Sequence, residues 1–204
     1  MMGNPARLTK LRFAMIVAAL PAVLVLALRA GTRLVPGNPG KAPAEVTGSQ
    51  ANSAERPADV SSIDAIIAAV YDVISGPPGD RDWSRFRSLF VPEGRLIPVV
   101  KGEGGASALR ILKVEDYVAR SSASMKQNGW FESEIARKQE EFGHIAQVFS
   151  TYEGRRARGE APTVRGINSF QLFYDGRRWW IVGIFWDAEG PGQAIPGKYL
   201  PGAR

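Results

Sequence analysis

Cysteine is absent from this chain and histidine occurs once, at position 144. Without thiols there can be no disulfide framework, thiolate nucleophile, cysteine-ligated zinc or lipid-acylated cysteine. One histidine and no cysteine argue against a transition-metal site, and no motif calls for a cofactor. The body of the chain also lacks an excess of either charge. The whole sequence carries +6, yet residues 59–189 hold 17 basic and 18 acidic side chains, and Arg7, Lys10, Arg12 and Arg29 near the start have no acid among them. A nucleic-acid partner is therefore not expected. Arg155, Arg156 and Arg158 cluster in one segment, but with no aromatic residue interleaved for base stacking they read as solvated loop tips.

Long apolar runs are scarce too. The one candidate extends from Phe13 to Leu28, sixteen residues without a charge behind the basic Arg7, Lys10 and Arg12. That is the pattern of an export signal. As a helix it would span roughly 24 Å, a little short of the roughly 30 Å hydrocarbon core, which favours cleavage over retention as a membrane anchor. Either outcome places the remainder outside the cytoplasm, periplasmic or otherwise extracytoplasmic, and residues 13–28 would tether it to the inner membrane if retained. Residues 31–58 contain four Gly, four Pro and five Ala and few large apolar side chains, the composition of a flexible linker. Residues 190–204, with Pro191, Pro196 and Pro201, read as a disordered tail.

The folded body is expected over 59–189. Ile63, Ile66, Ile67, Val70, Tyr71 and Ile74 draw one apolar stripe along a helix, with Ser61 and Asp64 as a capping-box-like start and Ser75-Gly76-Pro77-Pro78 as its stop. A short second helix from Asp82 turns Trp83, Phe86, Leu89 and Phe90 inward and ends at Pro92-Glu93-Gly94. A short strand follows over 95–100, then a third helix over 113–127. Beyond Gly129 the period changes to two, predicting strands over 130–137, 144–153, 165–174 and 179–187, the last two joined by the hairpin signal Asp175-Gly176. The fold class is α+β, a cone-shaped domain with three N-terminal helices packed on a curved antiparallel sheet.

This order of elements resembles the superfamily of small conical domains related to nuclear transport factor 2, also called SnoaL-like. The resemblance is carried by Phe142-Gly143-His144-Ile145-Ala146 leading into Ser150-Thr151-Tyr152-Glu153, by Arg165-Gly166-Ile167-Asn168-Ser169, and by the closing Arg178-Trp179-Trp180-Ile181-Val182. These strings are typical of uncharacterised bacterial members. Relatives of this shape include ketosteroid isomerase, scytalone dehydratase and limonene epoxide hydrolase as well as modules with no reaction, so the resemblance implies a fold and leaves activity open. None of the enzymes' catalytic residues can be matched one by one.

From the residues themselves, the candidates are few. His144 is the one imidazole suited to proton transfer near neutrality, set against a plain rim or edge role. Tyr71 continues the buried stripe of the first helix while Asp72 points elsewhere. Trp83 and Phe86 are candidates to line the cone. Ser150, Asn168 and Gln171 are polar residues in otherwise apolar strands, where they would orient a ligand or fix strand register. Glu132 and Glu134 fall on one strand face with Lys138 and read as a solvated charge ladder. The segment 179–187 is apolar on both faces, which predicts a cover over the second face: a second copy forming an isologous dimer through the sheet, or the tail around Tyr199 folding back. The expectation is an exported, non-catalytic module, holding a small apolar ligand in its cone or serving a cell-envelope assembly. The alternative is a cofactor-free isomerase, dehydratase or hydrolase acting on a small hydrophobic substrate.

Overall fold

The computed structural model describes residues 55–102 and 106–202. The expected leader and most of the expected linker lie outside them, and among the described residues no helix is long and apolar enough to cross a membrane. The last residues of the expected linker are ordered against the body. Pro57–Val60 forms a 3-10 turn that sinks Val60 into the core, and Glu55 accepts a hydrogen bond from Arg178 at 2.5 Å.

All six stripe residues of α1 (Ile63–Ile74) are buried. Its cap is Ser62, one position later than predicted, whose hydroxyl accepts from the Ala65 N–H at 3.0 Å. Asp72 points away from the core and pairs with Arg85 at 2.5 Å. After α2 (Trp83–Ser88), β1 (Phe90–Lys101) begins well before the predicted strand. Pro92-Glu93-Gly94 does not end an element; it sits at a register shift between Phe90 and Arg95, where a proline lacking its N–H is tolerated. Then come β2 (Ser107–Leu109), β3 (Leu112–Lys113), α3 (Val114–Gln127), β4 (Phe131–Phe142), β5 (Ile145–Arg155), β6 (Val164–Tyr174) and β7 (Trp179–Ala188).

The sheet order is β2-β1-β7-β6-β5-β4, with β3 also paired to β1. It is antiparallel except at β1 and β7, which run parallel. The expectation of an antiparallel sheet behind three N-terminal helices is thus corrected in two respects: one pair is parallel, and the third helix follows three strands.

Two bulges decide which side chains face inward. In β4, Glu134 pairs with Tyr152 and Ala136 with Thr151, leaving Ile135 as an extra residue. The alternation is reset there, so Glu132, Glu134 and Arg137 share the inner face and Lys138 faces outward. In β7, Ile181 pairs with Leu172 and Gly183 with Gln171, leaving Val182 extra. Ile181 and Ile184 are consequently both buried, while Val182 and Phe185 are 44% and 43% exposed on the outer face.

The tail is not disordered over the described residues 190–202. Gly190 bridges Gln193, Gly197–Tyr199 forms a 3-10 turn, and the Tyr199 ring packs on Phe149 at 5.5 Å. The Tyr199 carbonyl accepts from the buried Thr151 hydroxyl at 2.7 Å. One aromatic anchor with a buried hydrogen bond outweighs the three prolines. The tail covers the outer face at β5. Trp180 is sheltered from within its own chain, with the Arg178 guanidinium 3.6 Å from its ring and its indole N–H donated to Asp175 at 2.7 Å.

Candidate functional site

The inner face of the sheet and the three helices enclose a cavity of about 820 Å³. Its apolar wall comes from Val70 and Ile74 of α1, Phe86 of α2, Tyr117 and Met125 of α3, and Ile184 and Trp186 of β7. At one end Lys101, Asp187, Glu189 and Gln193 form a polar rim, with Lys101 Nζ donating to Asp187 at 3.1 Å and to Gln193 at 2.9 Å.

Inside this wall sits one carboxyl, Glu132. Oε1 accepts from the Asn168 amide at 3.1 Å and Oε2 from the Trp130 indole N–H at 3.1 Å. Its backbone is fixed as well, because the Ser75 hydroxyl at the end of α1 accepts from the Glu132 N–H at 2.9 Å and donates to its carbonyl at 3.2 Å. Glycines make room for the neighbouring rings. A Cβ on Gly154 would lie 2.5 Å from the Trp130 ring, and one on Gly166 would lie 2.7 Å from the Tyr152 hydroxyl.

From Asn168 a directional chain runs away from Glu132. The amide also donates to Tyr71 Oη at 3.1 Å, Tyr71 meets the Ser150 hydroxyl at 2.7 Å, and Ser150 donates to Glu134. Since Ser150 gives its proton to Glu134, Tyr71 must donate to Ser150, and every hydrogen points toward a carboxylate. Glu134 in turn pairs with Arg137 at 2.8 Å, and Arg137 also holds Asp64.

The two carboxyls therefore differ. Glu134 has an arginine, whereas Glu132 has two neutral donors and no cation among the described residues. Burial pushes the Glu132 carboxyl up to about 7 against the opposing pull of Asn168 and Trp130. The phenols of Tyr71, Tyr117 and Tyr152 are also pushed up, by burial first and by the nearby Glu132 charge second, so they remain protonated donors. A carboxyl that changes charge near neutrality inside an apolar cavity can hold a polar group or exchange a proton with it.

No protein-family model matches the sequence, and neither does any curated protein. Solved structures do resemble the domain. A nuclear-transport-factor-2-like protein of unknown function from Pseudomonas putida is 12% identical, covering 69% of this chain and 95% of its own, with a TM-score of 0.51. The domain has the nuclear-transport-factor-2-like fold. Two further likenesses are a protein of that fold and unknown function from Silicibacter pomeroyi, 13% identical over 63% of this chain and 94% of its own at a TM-score of 0.45, and an uncharacterised protein with a cystatin-like fold from Caulobacter vibrioides, 13% identical over 65% and 90% at 0.49.

Of the residues anticipated for the cone of this nuclear-transport-factor-2-like domain, Tyr71, Ser150 and Asn168 stand together in one hydrogen-bonded chain, and Phe86 lines the cavity. Trp83 lies behind the wall, edge-on to Phe86 and Tyr117 at 5.7 and 6.5 Å. Two candidates are elsewhere. His144 is an exposed rim residue in the turn between β4 and β5, where Nδ1 meets the Tyr174 carbonyl at 2.9 Å and the ring stacks on Tyr174. Gln171 is exposed on the outer face, opposite Gly183.

Sequence reasoning missed Glu132, taken as part of a solvated ladder with Glu134 and Lys138. The bulge at Ile135 separates Lys138 from both acids, and strict alternation cannot register it. The overlooked signal was Trp130 two residues before Glu132, an indole donor on the same strand face. Arg156 and Arg158 are not free loop tips either; they lie over the Trp130 and Phe131 rings at 5.5 and 4.9 Å.

Proposed function

We propose that this domain binds a small, largely apolar molecule inside the cone and that Glu132 meets its polar group. The observation that carries the reading is a half-buried carboxyl that has no cation among the described residues, facing a cavity of about 820 Å³ whose walls are aromatic and aliphatic. That volume suits a ligand of drug-like size or below. A group so costly to desolvate lowers stability when it has no partner, and a ligand would supply one. On the basic and apolar pattern of residues 7–28, the domain works outside the cytoplasm.

The same carboxyl favours a second reading, a cofactor-free isomerase, dehydratase or hydrolase in which Glu132 moves a proton at the bound substrate. A dimer through the outer face belongs with either reading. Phe173, Val182 and Phe185 are exposed there between the Tyr199 anchor and β1, and a second copy would bury them.

Native mass spectrometry of protein purified from its own host tests the proposal. The expected result is a retained adduct that is lost in a cavity-filling Ile184→Trp variant. Bare protein, or an adduct that Ile184→Trp leaves in place, contradicts it.

A further inference from the structure

The cone reading leaves the chemistry of the ligand's polar group open, and the surroundings of Glu132 narrow it. Among the described residues, every other carboxylate that is not exposed has a cation of its own. Asp59 pairs with Arg85, Glu134 with Arg137, Glu153 with Arg155, Asp187 with Lys101, Glu189 with Arg165 and Glu55 with Arg178. Glu132 alone in that set has two neutral hydrogen-bond donors and no ion pair.

The groups facing it are Tyr71 from α1, Tyr117 from α3, Tyr152 from β5, Asn168 from β6 and, at the rim, Asp187 from β7 with Glu189 and Lys101. Lys101 from β1 is the one cation among these, and its ammonium is paired with Asp187 at 3.1 Å. Arg137, Arg155 and Arg158 border the adjoining cleft that Glu132 also lines, but Arg137 and Arg155 are each paired with another acid and Arg158 lies over the Phe131 ring at 4.9 Å. Arg156 lies over the Trp130 ring rather than on the carboxylate. The cavity wall that Glu132 shares is aromatic, with Phe86, Tyr117, Trp130 and Trp186 among its lining.

We infer that the ligand is an organic cation, an amine in protonated or quaternary form on an apolar frame, held by Glu132 and by the π-faces of these rings; the inference rests on the cone being the binding site. A cation supplies the missing ion pair and gains from the ring quadrupoles as well. An anion meets the opposite balance, since it must displace or protonate Glu132. A neutral apolar molecule fills the space but leaves the carboxyl uncompensated, as it is now. Because the cation needs Glu132 ionised, its binding releases a proton whenever the empty site holds one, and affinity rises with pH across the range in which Glu132 titrates.

Three probes that share a benzyl group but differ in charge separate these cases: benzyltrimethylammonium, its uncharged carbon isostere neopentylbenzene, and the smaller anion phenylacetate. Each is titrated into the purified full chain by calorimetry and tryptophan fluorescence. Benzyltrimethylammonium is expected to bind about tenfold or more tightly than neopentylbenzene, with phenylacetate weakest. Its affinity should climb from about pH 6 to about pH 8. In Glu132→Gln that advantage should vanish while neopentylbenzene still binds. If neopentylbenzene binds as tightly as the cation in the native protein, the amine inference is overturned and the cone remains the binding site. If none of the three binds, the cone reading fails and takes the inference with it. Should Glu132→Gln not fold, the pH series on the unmodified chain decides, and a flat profile overturns the inference.

Discussion

The two faces of the sheet are built from the same strands and finish differently. The inner face has Phe170, Val148 and Ile181 with no exposed surface, surrounds a cavity and carries a chain of oriented hydrogen bonds ending on two carboxylates. The outer face is covered locally by Tyr199 on Phe149 and by Arg178 over Trp180, and leaves Phe173, Val182 and Phe185 about two-fifths exposed. Inward packing thus accounts for the fold of the single chain, and outward apolar surface is left for contact with something else. Neither face is uniform. The inner one departs from an ordinary core at Glu132, and the outer one departs from an ordinary solvated face at Phe185.

The largest expected effect comes from breaking the inner face where it is completely packed. Phe170→Ala should lower stability by about 3–5 kcal/mol in denaturant unfolding. Arg178→Ala comes next. It removes the guanidinium that covers Trp180, holds Glu55 and donates to the Ser88 carbonyl at 2.6 Å, and a loss of about 2–3 kcal/mol is expected.

A subtler test concerns Glu132 and pH. Its carboxyl in the folded protein lies above the ordinary value of 4.5, at about 7, so between those two values the native state holds a proton that the unfolded chain has lost. Stability should therefore fall as pH rises through this window and level off above it, by on the order of 2 kcal/mol because the carboxyl faces a cavity that water can enter. Glu132→Gln should remove that part of the pH dependence, seen as a smaller difference between unfolding midpoints at pH about 5 and about 8. An unchanged difference would mean that Glu132 titrates alike in both states.

Substitutions on the outer face should be mild for the monomer. Tyr199→Ala should cost about 1 kcal/mol and free the tail, visible as faster amide exchange after Glu189. Phe185→Glu should change monomer stability by roughly 0.5 kcal/mol or less. If the outer face joins two copies, the same variant should shift sedimentation from dimer to monomer. A native chain that sediments as a monomer at all concentrations would remove the dimer proposal.

The contrast between the faces also marks what the sequence made legible. The period of α1, the turn at Asp175-Gly176 and the change of period after Gly129 are local signals, and the corresponding elements lie where they were expected. The cone residues on regular stretches, Tyr71, Ser150 and Asn168, were equally accessible, because a polar group in an apolar strand must find a partner. Each bulge adds one residue and reverses the facing of all that follow, which no period-two count can detect. Ile135 hid Glu132 by turning Lys138 away from the two acids it had been grouped with, and Val182 shifted which apolar residues of the last strand face inward. The parallel pairing of β1 with β7 joins residues about ninety positions apart and has no local signature. The tail was read as disordered from its composition, with folding back around Tyr199 only the alternative to a second copy, because the contacts that order it, Tyr199 on Phe149 and Thr151 and Gln193 on Lys101 and Asp187, are long-range.

The most direct test of the central claim is the titration of Glu132 itself. Chain labelled with carbon-13 at the glutamate carboxyls, followed by NMR and assigned by loss of one resonance in Glu132→Gln, should show a single carboxyl with a midpoint near 7. That midpoint should move down when benzyltrimethylammonium occupies the cone. A Glu132 resonance that titrates with the exposed glutamates, with or without the probe, would contradict the account of a cavity-facing carboxyl awaiting a partner.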